Sequence, residues 1–93
     1  MDAVYSKNPD IIFRKIADEF ILVPIRQKAV DLKSVFTLNE TAAFIWQSLD
    51  HTDNISQLKD LVSREFEVDA GQAQTDVSEI ISQWESLSLV RKA

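Results

Sequence analysis

The apolar residues of this 93-residue sequence change their spacing at Asn39. Before Asn39, dense Ile, Val and Phe residues are interrupted at short intervals by turn-forming or charged residues, which predicts strands over about 11–17, 20–25 and 33–38. After Asn39, apolar residues recur at intervals of three and four, as in amphipathic helices. The sequence therefore predicts an α+β fold, in which a three-stranded antiparallel sheet is followed by a three-helix bundle.

Each of the three predicted helices is preceded by a residue suited to cap its amino end. The expected N-caps are Asn39, Ser56 and Asp69, because their side-chain oxygens can accept hydrogen bonds from first-turn amides. We expect Trp46 and Trp84 to be core residues, because each lies on the apolar face of its helix. The apolar face of the third and longest helix consists of Ala73, Val77, Ile80, Ile81, Trp84 and Leu87.

Few residues in the chain are suited to catalysis or to metal binding. There is no cysteine, there is one glycine, and His51 is the only histidine. Thiolate zinc sites, glycine-rich phosphate-binding loops and histidine-based metal sites therefore lack their residues. The acidic residues at 65, 67 and 69 are interpreted as a solvated surface. We expect no enzymatic activity, no catalytic residue, no cofactor and no metal.

The charge distribution argues against nucleic acid as a partner. The net charge is −5; residues 1–38 carry six basic and five acidic side chains, whereas residues 39–93 carry four and ten. Such an acidic second half repels phosphate backbones. No window approaches the roughly 18 apolar residues of a membrane span, so we expect no membrane partner and a cytoplasmic location. A winged-helix DNA-binding transcriptional regulator remains the alternative function.

The third predicted strand is expected to lie at an edge of the sheet, beside the helical half. An open strand edge next to an apolar helix face can accept an extended peptide as an additional strand. Two other outcomes are open: Lys33 could blunt the edge, or a second copy of the chain could fill it and form a homodimer. The sequence thus favours a protein that acts by binding another polypeptide.

The run Leu38-Asn39-Glu40-Thr41-Ala42-Ala43-Phe44-Ile45-Trp46, followed by Leu49-Asp50, resembles the central signature of PqqD-like proteins. The resemblance covers about residues 11–91 of one domain spanning 1–93. Two positions differ from the family pattern, because His51 and Ser88 stand where members often have glycine, and we expect shifted loops there.

The resemblance implies a winged helix-turn-helix fold that acts as a recognition element for ribosomally synthesised, modified peptides. Such a domain binds the leader segment of a precursor peptide and presents the precursor to a modifying enzyme such as a radical SAM protein, a cyclase or a protease. The leader would add antiparallel to the third strand, in the groove between that strand and the third helix. Of the strand residues, Phe36 and Leu38 are expected to face the core. Carried onto this sequence, the peptide-binding residues would be Lys33, Ser34, Val35, Phe36, Thr37, Asp76, Val77, Ile80 and Trp84.

Overall fold

The computed structural model describes residues 4–25, 35–52 and 54–92, and it confirms the predicted order of an antiparallel sheet followed by three helices. A 3-10 helix over Leu49–His51 follows the first α-helix. The elements are β1 (Tyr5–Lys7), β2 (Ile11–Ile16), β3 (Glu19–Pro24), β4 (Phe36–Leu38), α1 (Glu40–Ser48), α2 (Ile55–Phe66), α3 (Ala70–Ser86) and β5 (Val90–Lys92).

Strands β2 and β3 form a tight hairpin whose turn lies one residue earlier than predicted. Ile16 pairs with Glu19, so Ala17 and Asp18 form the turn, and Ala17 adopts a positive φ of 55°. Pro24, which has no amide to donate to a ladder, is the last residue of β3, as expected for proline in a sheet.

Strand β4 is the described part of the third predicted strand. It pairs antiparallel with β3, and Phe36 and Leu38 stand opposite Leu22 and Phe20. Leu38 belongs to the buried core and Phe36 packs against it, which confirms that these two strand residues face inward. Thr37 lies between them and is exposed, as the alternation of side chains along a strand requires.

The helices begin at the predicted caps in two cases out of three. The Asn39 and Asp69 side chains accept hydrogen bonds from first-turn amides, each at 2.8 Å. Ser56 was the wrong residue for α2, since it lies inside the first turn. Asn54 has the extended backbone that an N-cap needs, and its Oδ1 atom accepts from the Gln57 amide at 3.0 Å.

The core lies between the sheet and the three helices. Trp46 and Trp84 are 2% and 3% exposed, which confirms both as core residues. Leu22 of the sheet and Leu58 of α2 are fully buried beside them in the same cluster.

A second, two-stranded sheet joins the two ends of the described chain. Strands β1 and β5 pair antiparallel, with Tyr5 opposite Lys92. Leu89 and Val90 are each 2% exposed, so the apolar segment near the carboxyl end packs into the core. The β1–β5 pairing itself was not predicted.

Candidate peptide-binding groove

Strand β4 is paired on one side only, within the part of the chain that the structure describes. The sheet order there is β2-β3-β4, so β4 hydrogen-bonds to β3 alone. A cavity of about 290 Å³ lies between this strand and α3. We call it the β4–α3 groove; its walls are Phe36, Thr37, Leu38, Asn39, Ala42, Ile80, Gln83, Trp84 and Leu87.

The α3 wall of the groove follows from helical spacing. Ile80, Gln83, Trp84 and Leu87 recur at intervals of three and four, so they share one side of the helix. Trp84 is almost fully buried, Ile80 is half-buried and Leu87 is 47% exposed. The wall therefore runs from a core residue to an apolar side chain that is open to solvent.

An acidic recess of similar size adjoins one end of the groove. It has a volume of about 300 Å³ and is lined by Asn39, Thr41, Asp76, Glu79 and Ile80. Asp76 Oδ1 accepts a hydrogen bond from Gln72 Nε2 at 2.8 Å, which holds this carboxylate beside α3. Asn39 and Ile80 line both cavities, so the recess continues the groove past the carboxyl end of β4.

The structure brings together most of the site residues named from the sequence. Phe36, Thr37, Ile80 and Trp84 line the groove, and Asp76 lines the recess. Val77 is fully buried in the core, so its side chain lies behind the groove and not on its surface.

Three of the named residues lie before β4. Val35 directly precedes the strand and is 43% exposed. Lys33 and Ser34 lie outside the described residues.

Sequence reasoning missed several residues of the groove and recess. Gln83 and Leu87 could have been found, because they follow Ile80 at intervals of three and seven on one helix face. Asn39 and Ala42 carry no such signal, since their presence depends on how α1 docks against α3. Thr41 and Glu79 were missed in the same way.

The other residues that the sequence analysis considered for catalysis or metal binding lie outside the groove. His51 is exposed at the end of the 3-10 helix. Across residues 4–25, 35–52 and 54–92, no group of three or more His, Cys, Asp or Glu side chains could hold a metal ion. In those same segments, no helix combines the length and the apolar character needed to cross a membrane. Glu65, Glu67 and Asp69 are exposed, as interpreted from the sequence.

The family assignment comes from a match to a family model. The model described as "Coenzyme PQQ synthesis protein D (PqqD)" matches residues 19–90, which is most of the chain. The chain belongs to the PqqD family. The matched region of this PqqD-family chain includes β3, β4 and all three helices, and therefore the whole groove. No curated protein sequence matches the chain.

Two solved structures share the fold of this PqqD-family chain. One is "TbiB1 in Complex with the TbiA(beta) Leader Peptide", with a TM-score of 0.74, 18% identity, and coverage of 91% of this chain and 93% of that chain. The other is "Lasso peptide synthetase B1 complexed with the leader peptide", with a TM-score of 0.75, 20% identity, and coverage of 94% and 96%. At these identities the likeness establishes the fold.

Proposed function

We propose that this chain binds the leader segment of a ribosomally synthesised precursor peptide and presents the precursor to a modifying enzyme. The leader adds as a strand on the open side of β4 and places its side chains in the β4–α3 groove. The chain contributes binding without catalysis and without a cofactor. Its partner enzyme belongs to a peptide-modifying class, such as a radical SAM protein, a cyclase or a protease, and the complex forms in the cytoplasm.

The observation that carries this proposal is that one cavity joins an open strand edge to an apolar helix face. The open side of β4 offers backbone donors and acceptors to an extended peptide. Ile80, Trp84 and Leu87 offer apolar contact to alternate side chains of the same peptide. Backbone pairing supplies affinity and the pockets supply selectivity, so the two parts suit a peptide ligand.

The other edge of the sheet is less suited to strand addition. Strand β2 carries Arg14 and Lys15, both exposed, and charged side chains on an edge strand oppose pairing with a second chain. Strand β4 consists of Phe36, Thr37 and Leu38 and carries no charge.

The fold relatives support the same ligand class, because the two solved structures named above are complexes with leader peptides. The composition of α3 opposes the DNA-binding alternative. This helix contains no Lys or Arg, whereas a helix placed in the major groove is expected to bring basic side chains to phosphates.

A titration tests the proposal directly. Uniformly ¹⁵N-labelled protein is titrated with synthetic leader segments of the precursor peptides encoded beside its gene. We expect saturable amide shifts confined to residues 35–38 and 76–87, together with slower hydrogen exchange of the β4 amides. Saturable shifts on β2, or the absence of saturable shifts with every segment, would contradict the proposal.

A pair of isoleucine variants distinguishes binding in the groove from nonspecific binding elsewhere on the protein. Ile80→Glu introduces a charge into the groove, whereas Ile16→Glu introduces the same charge at a site on β2 that is 56% exposed. We expect the first variant to weaken leader binding at least tenfold and the second to leave it unchanged. Sedimentation at several protein concentrations reveals whether a second copy of the chain occupies the groove instead, because self-pairing weakens on dilution.

A further inference from the structure

The two ends of the groove differ in charge. At the end next to Asn39, the recess holds the carboxylates of Asp76 and Glu79. Glu79 has no ion-pair partner among the described residues. The elements that supply the walls of the groove and the recess, which are β4, α1 and α3, contain no Lys or Arg. Among the described residues that line it, this end of the groove therefore carries negative charge without a basic side chain.

The opposite end of the groove is apolar. Phe36, at the start of β4, shares the groove with Trp84 and Leu87, near the carboxyl end of α3. Leu87 is 47% exposed, and Val35, just before β4, is 43% exposed. A ligand side chain at this end gains contact with apolar surface that is otherwise open to water.

Building on the proposed function, we infer that the groove selects peptide segments with a Lys or Arg on the amino side of an apolar residue. In the antiparallel orientation that the family resemblance implies, a peptide on β4 begins near Leu38 and ends near Phe36. Its amino end therefore meets Asp76 and Glu79, and its carboxyl end meets Leu87. The ligand is thus a segment whose polarity is basic first and apolar second.

The length of the groove sets the spacing between the two selected residues. Glu79 and Leu87 are eight positions apart on α3, which is about 12 Å along the axis at 1.5 Å per residue. An extended peptide covers about 12 Å in roughly four residues. The basic residue consequently precedes the apolar residue by about four positions, and both side chains point toward α3 because an even spacing keeps them on one face of the strand.

The expected preference is modest and depends on salt. Solvent-accessible ion pairs of this kind change affinity by about two- to fivefold each. Asp76 is half-buried and Glu79 is exposed, so Asp76 is expected to contribute the larger share. Screening shortens the range of the interaction to about 8 Å at physiological ionic strength, so the preference shrinks at high salt.

A displayed library of random 12-residue peptides tests the inference with the intact protein. Three proteins are panned in parallel: the native chain, the double variant Asp76→Asn/Glu79→Gln, and the matched control Asp60→Asn/Glu65→Gln. The control removes two exposed carboxylates from α2, which does not line the groove. We expect the native chain and the control to enrich peptides with Lys or Arg about four positions before an apolar residue. The double variant Asp76→Asn/Glu79→Gln, which we call the groove variant, should enrich peptides that share only the apolar residue.

Selected peptides are then resynthesised with the basic residue replaced by Gln. We expect this change to weaken binding two- to tenfold to the native chain at 50 mM salt and to leave binding to the groove variant unchanged. Peptides that shift β4 amides without any basic preference, or with the basic residue after the apolar one, would overturn this inference and leave the proposed function standing. A panning that yields no peptide able to shift the β4 amides would overturn both.

Discussion

The indole ring of Trp84 lies edge-on to that of Trp46, with 5.3 Å between the ring centroids and 84° between the ring planes. This geometry is the favoured one for aromatic pairs, and it joins α3 to α1 inside the core. The two rings differ in their other contacts. Trp84 lines the groove, whereas Trp46 lies under Lys7, whose Nζ atom is 5.1 Å from its ring centroid.

Single-tryptophan variants should therefore report peptide binding differently. The chain has two tryptophans, so Trp46→Phe leaves only Trp84 as the fluorophore and Trp84→Phe leaves only Trp46. We expect a leader segment to change the emission of the Trp46→Phe variant, because Trp84 lines the groove and a peptide bound there places new polar groups next to its ring. The Trp84→Phe variant should respond weakly. Equal responses from both variants would place the bound peptide elsewhere.

Substitutions at Val77 and Ile80 should affect different properties, the first the stability of the fold and the second the binding of the leader. Val77 is fully buried, so Val77→Ala removes two methyl groups from the core and should lower the free energy of unfolding by about 1–3 kcal/mol. Ile80 is half-buried on the groove wall, so Ile80→Ala should weaken leader binding by roughly 1 kcal/mol, or about fivefold.

Urea unfolding and calorimetric titration of both variants check this pair of outcomes. We expect Val77→Ala to bind the leader normally at temperatures where it remains folded. Loss of binding by folded Val77→Ala would show that the side chain reaches the ligand.

The sheet and helices could be predicted because their residues form patterns long enough to show a period. The register from Ile11 opposite Pro24 to Ile16 opposite Glu19 spans six residue pairs. Strands β1 and β5 have three residues each, which is too few to reveal a period of two, and their pairing joins residues more than eighty positions apart. The cap of α2 was missed because Asn54 and Ser56 have equally suitable side chains, and only the backbone distinguishes them.

The groove was predicted only in part, since it depends on how separate elements dock. The open edge beside the third helix followed from the order of the elements and from the family resemblance. In the described residues, β4 is the last strand of its sheet and shares a cavity with Ile80 and Trp84. The acidic recess is different. It requires Asn39 and Thr41 from around the start of α1 to meet Asp76 and Glu79 of α3, and no spacing in the sequence encodes that contact.

Two N-cap asparagines provide a matched test of the groove's boundary. Asn39→Ala and Asn54→Ala each remove one cap hydrogen bond, and each should lower the free energy of unfolding by about 0.5–2 kcal/mol. Only Asn39 lines the groove and the recess. We therefore expect Asn39→Ala alone to weaken leader binding, as measured by calorimetry on the folded variants. Equal binding by both would exclude Asn39 from the contact.

The protein should become more stable when Ser88 is replaced by glycine, the residue that family members often have at this position. The φ of Ser88 is 63°, in the left-handed region, which costs a non-glycine residue about 1–2 kcal/mol. Glycine removes this strain but loses about 0.5–1 kcal/mol through the flexibility of the unfolded chain. Ser88→Gly should therefore raise the free energy of unfolding by about 0.5–1 kcal/mol.

The matched control is Ser82→Gly, which makes the same change inside α3. It should lower the free energy of unfolding by about 0.5 kcal/mol, because glycine is the poorer helix former. Urea unfolding measures both values. Destabilisation by Ser88→Gly would mean that its hydroxyl, rather than its backbone angle, matters at this turn.

Tyr5 should make the protein less stable at alkaline pH. Burial raises the pKa of Tyr5 above its usual value near 10, and the Glu85 carboxylate, which accepts a hydrogen bond from the Tyr5 hydroxyl, raises this pKa further. In the unfolded chain the phenol loses its proton near pH 10, whereas in the folded chain it keeps the proton to higher pH. The contribution of this group to the free energy of unfolding is therefore constant below pH 10, and it is lost as the pH rises beyond that value.

Unfolding of the native chain and of Tyr5→Phe is compared from pH 8 to 11, where the other titrating groups are common to both proteins and cancel in the difference. We expect the native curve to fall more steeply above pH 10, and the single tyrosine to ionise at higher pH in the folded protein by ultraviolet absorbance. Parallel curves would show that the contact with Glu85 does not persist in solution.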